Sequence, residues 1–279
     1  MEHNTQMPKS GHKKDLRPNF QSFTLASMKQ PVLLYGDCTK VLKGQFDVVA
    51  FMPPWNMPRC HNGAERGYHD DLDEANYQYQ QVEKLRFMST LLRPNALVVY
   101  HHRNRVKHGI YVVPEMWIFR QTELVLWDTV TIYKGSTPNA NKGRGYPMRE
   151  TLYLFHLAGA NRREIFSNHK PDAYSSTNFD SRHDTWFMPA VTSIWHGSTH
   201  NAVAPELLPY RIFNRWCPPG GDVCDPMMGS GTSAIAALKL NLSFTGSEID
   251  PRYFEEAKAR VNAFQLSATL QMQYINKNK

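Results

Sequence analysis

The residues with the clearest chemical potential form a short stretch near the C-terminus, residues 221–232, with the sequence GDVCDPMMGSGT. Residues 223–224 are typical of a buried strand, and Gly229 and Gly231 follow in a turn before an alanine-rich segment. Glycine permits positive φ and, because it lacks a Cβ, lets a ligand come close to the backbone. An acidic residue about 20 positions further on can accept hydrogen bonds from ribose hydroxyls. Glu248 fills that position, so the stretch predicts a nucleotide-binding unit.

Several ligand classes compete for this turn. A phosphate-binding P-loop needs a lysine after its last glycine, and none follows Gly231. Residues 229–234 satisfy the pattern G-x-G-x-x-G/A, which leaves a dinucleotide such as NAD open. S-adenosylmethionine has no phosphate and needs an acceptor for its ammonium group, which Asp225 supplies. A structural strand, turn and helix without any ligand also agrees with these residues alone.

A second candidate site follows the apolar run at 46–51, which predicts a strand buried on both faces of a parallel sheet. The run ends at a rigid turn that contains two prolines and an aromatic residue, Met52, Pro53, Pro54, Trp55 and Asn56. Proline fixes φ and stops the strand ladder, so the carbonyl groups of this turn have no partner in the sheet. Because ligands bind at the carboxyl ends of strands in open α/β sheets, the turn is a candidate site. A tight turn with a packed tryptophan ring is the structural alternative.

The other elements place both stretches in an α/β fold. Further strands are predicted at 31–38, 96–100, 122–133 and 151–155, and helices at 74–92, 205–213 and 253–264. Residues 56–76 are loop-like and are predicted to form a flap over the site. The polar, irregular segment from Gly159 to Pro189 is the best place for an inserted recognition segment.

Basic residues cluster near the predicted edge of the sheet, where phosphate groups would be bound. The candidates for DNA binding follow the strand at 96–100, lie in the loop at 134–148, or lie beyond it: Arg103, Arg105, Lys107, Lys134, Lys142, Arg144, Arg162 and Arg163. A net charge of +7, with 32 Lys and Arg against 25 Asp and Glu, favours a polyanionic partner. A solvated basic surface is the alternative for each cluster.

The length and composition of the chain limit its domain organisation and the classes of protein to which it can belong. A chain of 279 residues with 41% hydrophobic content is expected to fold as one α/β domain and is long enough to carry an appended lobe. The four cysteines have no C-x-x-C spacing, which indicates neither a metal site nor a disulfide framework and favours a reducing, cytoplasmic location. No apolar run reaches membrane-spanning length, so no membrane partner is expected.

Taken together, the two motifs resemble the S-adenosylmethionine-dependent DNA amino-methyltransferases, in the permuted group whose Pro-Pro-aromatic motif precedes the cofactor turn. The resemblance covers about residues 31–264 and runs through YGDC at 35–38, PPW at 53–55, the segment 199–208, DPMMGSGT at 225–232 and EID at 248–250. It implies a Rossmann-like methyltransferase sheet with a small inserted target-recognition segment at about 134–190. It also implies a flexible basic arm at 1–29, a catalytic domain at 30–265 and a polar tail at 266–279.

The family implies that a base of double-stranded DNA is flipped and methylated at adenine N6 or cytosine N4, as in restriction-modification systems of bacteria or phages. The resemblance also implies that the Pro53 carbonyl accepts a hydrogen of the target amino group and that Trp55 stacks on the base. Oligomeric state stays open, and a homodimer is compatible with the resemblance. Cofactor binding is assigned to Asp37, Cys38, Thr199, His200, Asp225, Pro226, Met227, Gly229, Ser230, Gly231, Thr232, Glu248 and Asp250.

The sequence departs from the family at Met52, where Asp, Asn or Ser usually supplies a second acceptor. A thioether is a weak acceptor, and loss of one preorganised contact typically lowers a rate by about 10²–10³-fold. Asn56 is a hypothetical substitute acceptor. Adenine N6 is favoured because Pro-Pro-Trp resembles the adenine enzymes at least as well, and a brief or relaxed recognition sequence is expected. A catalytically impaired protein that binds nucleic acid or a partner is the alternative.

Overall fold

The structure is a computed structural model and describes residues 29–57, 71–135, 148–169, 182–188 and 204–277. The strands in these residues are β1 (Val32–Tyr35), β2 (Phe46–Phe51), β3 (Leu92–His102), β4 (Arg105–Lys107), β5 (Ile110–Val112), β6 (Leu124–Tyr133), β7 (Arg149–Leu157), β8 (Thr185–Phe187), β9 (Asp222–Asp225) and β10 (Ser243–Glu248). The helices are α1 (Cys38–Val41), α2 (Glu74–Thr90), α3 (Glu115–Ile118), α4 (Leu207–Trp216), α5 (Thr232–Lys239) and α6 (Pro251–Lys277).

Eight of these strands form one twisted sheet in the order β1-β10-β9-β2-β3-β7-β6-β8. The first five are parallel to one another, whereas β7 runs antiparallel between β3 and β6. The predicted α/β class is confirmed. Because β7 is reversed, its first residues lie at the same edge of the sheet as the last residues of β2, β3, β9 and β10.

Both faces of the sheet are covered, as the apolar runs predicted. Alternation along β2 sends Val48 and Ala50 into a core shared with α4, α5 and α6, and sends Val49 and Phe51 into a core shared with α2 and α3. These four side chains are completely buried. The sheet is therefore the rigid support from which its carboxyl edge presents residues.

Several elements differ in length from the prediction. Strand β3 continues two residues beyond the predicted end at residue 100, because His101 and His102 both pair with β7, and both side chains are buried. Helix α6 does not end near residue 264 but continues to Lys277, since no Gly or Pro interrupts residues 252–277. Among the described helices, none is long and apolar enough to cross a membrane.

Candidate functional site

A cavity of about 940 Å³ opens along the carboxyl edge of the sheet and joins the two predicted sites. At one end it is lined by residues of the glycine turn and of the first strand–helix junction: Asp37, Cys38, Asp225, Pro226, Met227, Gly229, Ser230, Thr232, Glu248 and Asp250. At the other end it is lined by Met52, Pro53, Pro54, Trp55, His101, Lys134 and Glu150. We call these the cofactor end and the base end.

Backbone groups hold the carboxylates of the cofactor end in place. Glu248 accepts the Gly229 N–H through Oε2 at 2.9 Å and the Asp250 N–H through Oε1 at 2.7 Å. Asp225, the last residue of β9, accepts the Met227 N–H at 3.0 Å. The turn is thereby bent around its acidic side chains, a geometry that needs the positive φ of Gly229, 53°.

Gly231 has a different role from the predicted one, because it does not line the cavity. Its φ is 79°, and a Cβ there would lie 3.0 Å from the Cβ of Ala257 on α6. Glycine at this position therefore permits close packing of α5 against α6.

The charge of the cofactor end favours a cationic ligand. Four carboxylates line it, from Asp37, Asp225, Glu248 and Asp250, against two cations, Lys84 and Arg252. Arg252 pairs with Asp250 at 3.0 Å, so Asp225 and Glu248 are the carboxylates left for a ligand. Burial raises the pKa of Asp225 to about 7, and the nearby Glu248 charge adds to the effect. Burial also raises the pKa of Glu248, although the N–H groups of Asp250 and Gly229 oppose it. Carboxylates desolvated in this way gain from a cation and repel a diphosphate, so these residues fit the ammonium and ribose of S-adenosylmethionine better than NAD.

The junction between β1 and α1 closes the cofactor end. Asp37 caps α1 by accepting the Thr39 N–H at 3.0 Å. Burial raises the pKa of Cys38 to about 11, with Lys84 acting in the opposite direction, so the thiol stays protonated and is not a nucleophile. Lys84 itself lines the cavity, a contact that the sequence analysis missed.

The Pro-Pro-Trp turn at the base end is anchored by groups from α2 and β3. The Tyr77 hydroxyl donates to the Pro54 carbonyl at 2.8 Å and forms a second hydrogen bond with His102 Nε2, also at 2.8 Å. Burial lowers the pKa of His102 well below its usual value, and the Arg105 charge lowers it further, so this imidazole is neutral. The Trp55 indole donates to the His101 carbonyl at 3.4 Å. The turn is therefore a rigid wall of the cavity.

A buried ion pair that the sequence analysis missed completes the base end. His101 Nε2 lies 3.0 Å from Glu150 Oε2, and Lys134 Nζ lies 3.5 Å from the same oxygen. Burial raises the pKa of Glu150, but the hydrogen bond from His101 and the charges of His101, Lys134 and Arg103 outweigh it and lower the pKa to about 2. Glu150 is therefore ionised. The sequence separation of these residues hid their proximity.

The structure corrects the role predicted for Asn56. Its amide nitrogen donates to the Leu72 carbonyl at 2.9 Å, and its amide oxygen accepts the Leu72 N–H at 2.7 Å. The side chain is 1% exposed and does not line the cavity. Asn56 therefore holds the end of the loop before α2 and does not replace the acceptor missing at Met52.

Some basic residues predicted to bind DNA form ion pairs within the protein. Arg105 is 3% exposed, pairs with Glu74 at 2.6 Å and lies over the rings of Tyr77 and Trp117, because alternation in β4 turns it inward. Lys107 pairs with Asp71 at 2.6 Å, and Lys134 faces Glu150 inside the cavity.

Other predicted basic residues stay near the mouth of the cavity or at the surface. Arg103 lies 5.6 Å from the Trp55 ring centre, and Arg162 and Arg163 are exposed. Thr199, His200, Lys142 and Arg144 lie outside the described residues.

The sequence is similar to a known protein family and to several characterised proteins. Residues 46–259 match the family N6_N4_Mtase, described as DNA methylase. The chain is 24% identical over 262 residues to the orphan methyltransferase M.BamHII of Bacillus amyloliquefaciens, covering 82% of this chain and 91% of that protein. It is 29% identical over 142 residues to the type II methyltransferase M.BglI of Bacillus subtilis, a match that spans 51% of this chain and only 39% of that relative.

Solved structures show the same fold. The M1.HpyAVI–SAM complex matches with a TM-score of 0.60 at 18% identity, covering 84% of this chain and all of that chain (100%). The PvuII DNA methyltransferase, described as cytosine-N4-specific, matches with a TM-score of 0.63 at 14% identity, covering 86% of this chain and 93% of that chain. With its sheet, its acidic glycine turn and its Pro-Pro-Trp wall, the chain belongs to the N6/N4 family of DNA methylases, whose cofactor is S-adenosylmethionine.

Proposed function

We propose that this chain transfers a methyl group from S-adenosylmethionine to the exocyclic amino group of a flipped base in double-stranded DNA, with adenine N6 as the first candidate. The observation that carries the proposal is the single cavity that joins the acidic turn at Asp225 to the wall at Trp55. One cavity allows a methyl donor and a base to meet in line, and positioning of this kind supplies much of the catalysis in group transfer.

Two residues of the Pro-Pro-Trp turn have roles in this reaction. The target atom cannot be reached inside a duplex, so the base must leave the stack, and the Trp55 ring offers it a surface on which to stack. The amino lone pair is delocalised into the base, and acceptors for its hydrogens make it more nucleophilic. Pro53 lines the cavity, and its carbonyl is the proposed acceptor. Bound S-adenosylmethionine supplies the electrophilic methyl group.

Cytosine N4 is the second candidate. It is supported by the fold shared with the PvuII enzyme, whose description names cytosine N4. Adenine is favoured by the Pro-Pro-Trp sequence. Both acceptors are exocyclic amino groups on a ring of similar chemistry, so the same wall and the same cofactor end serve either base.

The test uses the full chain, isotopically labelled S-adenosylmethionine and unmodified double-stranded DNA of mixed sequence. After digestion to nucleosides, label in N6-methyldeoxyadenosine supports the first candidate, and label in N4-methyldeoxycytidine supports the second. Absence of label in any DNA contradicts the proposal and favours a protein that binds nucleic acid without methylating it. Sequencing of the methylated DNA then tests the expectation of a brief or relaxed target, which one long, strictly recognised site would contradict.

DNA contacts at the mouth of the cavity are part of the same proposal. Arg103 lies 5.6 Å from the Trp55 ring centre and is placed to contact a phosphate there, whereas Arg105 is buried. Arg162 and Arg163 are exposed, but the turn that carries them bonds to Asn95 at the opposite edge of the sheet. Removing one positively charged side chain that contacts a phosphate makes the plot of log binding constant against log salt concentration shallower by about one unit of slope. Arg103→Gln is therefore expected to lower the slope, whereas Arg163→Gln is expected to leave it unchanged. Arg105→Gln is expected to lower stability, with the slope unchanged.

A further inference from the structure

Met52 leaves the base end without the side-chain acceptor that precedes the prolines in the family, yet a carboxylate lies nearby on the same face of the sheet. Met52 follows Ala50 by two positions and packs against the same core. In the neighbouring strand, Val99 is the register partner of Ala50, and His101 follows Val99 by two positions. Because side chains alternate between faces, Met52 and His101 lie side by side on one face.

The row continues across the next two strands. His101 is the partner of Leu152 in β7, and Glu150 lies two positions from Leu152 on the same face. Ile132 of β6 is the partner of Glu150, and Lys134 follows Ile132 by two positions. A row of four side chains from adjacent strands thus crosses the carboxyl edge, and all four line the cavity: Met52, His101, Glu150 and Lys134.

The contacts within the row hold the carboxylate and leave one of its oxygens available. His101 and Lys134 both approach Oε2 of Glu150, at 3.0 Å and 3.5 Å. Among the described residues, no hydrogen bond reaches Oε1. The side chain is only 9% exposed and carries its charge next to a lysine, so it is held firmly and its charge is balanced. An ionised carboxylate is a strong hydrogen-bond acceptor, whereas the thioether of Met52 is a weak one.

We propose that Glu150 accepts a hydrogen of the target amino group and so replaces, from β7, the acceptor that Met52 does not provide. His101 is a positioning residue that acts through Glu150. This inference rests on the proposed amino methylation. In the transfer, the amino nitrogen bonds to the methyl carbon and the carbon–sulfur bond breaks, with its electron pair remaining on sulfur. The surplus proton of the amino group passes to Glu150 and from there to water.

The test compares purified variants of the full chain in single-turnover methyl transfer to unmodified DNA. Glu150→Met removes the acceptor and keeps the size of the side chain, and we expect the rate to fall about 10²–10³-fold. Glu150→Gln keeps one amide oxygen and should lie between this variant and the wild type. In the Glu150→Met background, Met52→Asn restores a polar side chain before the prolines and should recover the rate at least about tenfold.

Controls separate catalysis from folding. Asp47→Asn removes a carboxylate that pairs with Arg93 at 2.7 Å, at the opposite edge of the sheet, and should lower stability without changing the rate per folded molecule. Calorimetric affinity for S-adenosylmethionine should be the same in all variants. If Glu150→Met does not fold, Glu150→Gln is compared with the double variant Met52→Asn/Glu150→Gln instead. The glutamine side chain has nearly the volume of glutamate and can still form hydrogen bonds with its neighbours, so this variant is expected to fold.

Three outcomes overturn the inference. The first is that the rates of Glu150→Met and Glu150→Gln both lie within about threefold of the wild-type rate. The second is a folded, cofactor-binding Glu150 variant whose lost activity Met52→Asn does not recover, which would leave Glu150 with a structural role only. The third is an inactive wild type that Met52→Asn alone activates. A wild-type chain active on DNA together with the first outcome refutes this inference and leaves the proposed function intact.

Discussion

The two ends of the cavity are built differently. At the cofactor end, Asp225, Glu248 and Asp250 come from one stretch of sequence, and backbone N–H groups fix the first two. At the base end, His101 and Glu150 come from different strands and are held by each other. A site held by the backbone can be recognised in a local sequence, whereas a site held by paired side chains depends on the register of the sheet.

The largest effect that would separate the two ends is expected from Asp225→Ala. The substitution removes the acceptor for the cofactor's ammonium group, which should cost about 3 kcal/mol and raise the Kd of S-adenosylmethionine on the order of 10²-fold. The apo protein should be at least as stable as the wild type at neutral pH, because a desolvated carboxylate is lost. Calorimetry and thermal unfolding measure both, and a Kd within threefold of the wild type would contradict the assignment.

Trp55→Ala should affect only the base end. Stacking of a base on an aromatic side chain contributes about 1–3 kcal/mol, so kcat/KM for DNA should fall about 10- to 100-fold. The Kd of S-adenosylmethionine should stay unchanged, since Trp55 lies at the other end of the cavity. Steady-state kinetics with variable DNA provide the measurement. A large loss of cofactor affinity would show that the two ends are not independent.

The pH dependence of cofactor binding should sharpen the contrast further. Asp225 has a pKa of about 7 in the folded protein against an ordinary value of 3.8, so a cation meets a protonated group below pH 7. Affinity should therefore fall about tenfold for each pH unit below 7. The same shift makes the stability of the apo protein decrease as pH rises from about 4 to 7, because the folded state binds the extra proton. Asp225→Asn should flatten both profiles, and a pH-independent Kd in the wild type would count against a cationic contact.

The smallest effect is expected from Tyr77→Phe, which frees the Pro54 carbonyl and His102 from the Tyr77 hydroxyl. Loss of these hydrogen bonds should lower stability by about 1 kcal/mol and kcat severalfold, with cofactor affinity unchanged. Tyr111→Phe is the matched control, because it removes a hydroxyl bonded to Asn104 on an exposed hairpin. Equal effects of the two substitutions on kcat would mean that the anchor does not position the turn.

The features that could be predicted from the sequence depend on residues that are close together in the chain. The glycine turn, the acidic residue after it and the rigid Pro-Pro-Trp turn each depend on residue types within a few positions of one another. The apolar run at 46–51 predicted a strand buried on both faces, and the structure confirms it. Elements of this kind need no knowledge of which strands are neighbours.

The predictions that were wrong or missing concern residues whose contacts depend on packing between distant parts of the sequence. Asn56 and Arg105 are polar residues next to a predicted site, and nothing local showed that Leu72 and Glu74 already engage them. Glu150 was overlooked because its proximity to His101 requires β7 to lie antiparallel beside β3 in one particular register. A shift of one residue would turn Glu150 to the opposite face.

The antiparallel placement of β7 has a consequence for how this family evolves. Residues 52 and 150 lie at one sheet edge on strands separated only by β3, so either backbone position can present an acceptor to the same cavity. A substitution that removes the acceptor from one strand can then be compensated from the other. Across related sequences, the two positions should covary: chains with Asp, Asn or Ser at the first should lose the need for an acid at the second.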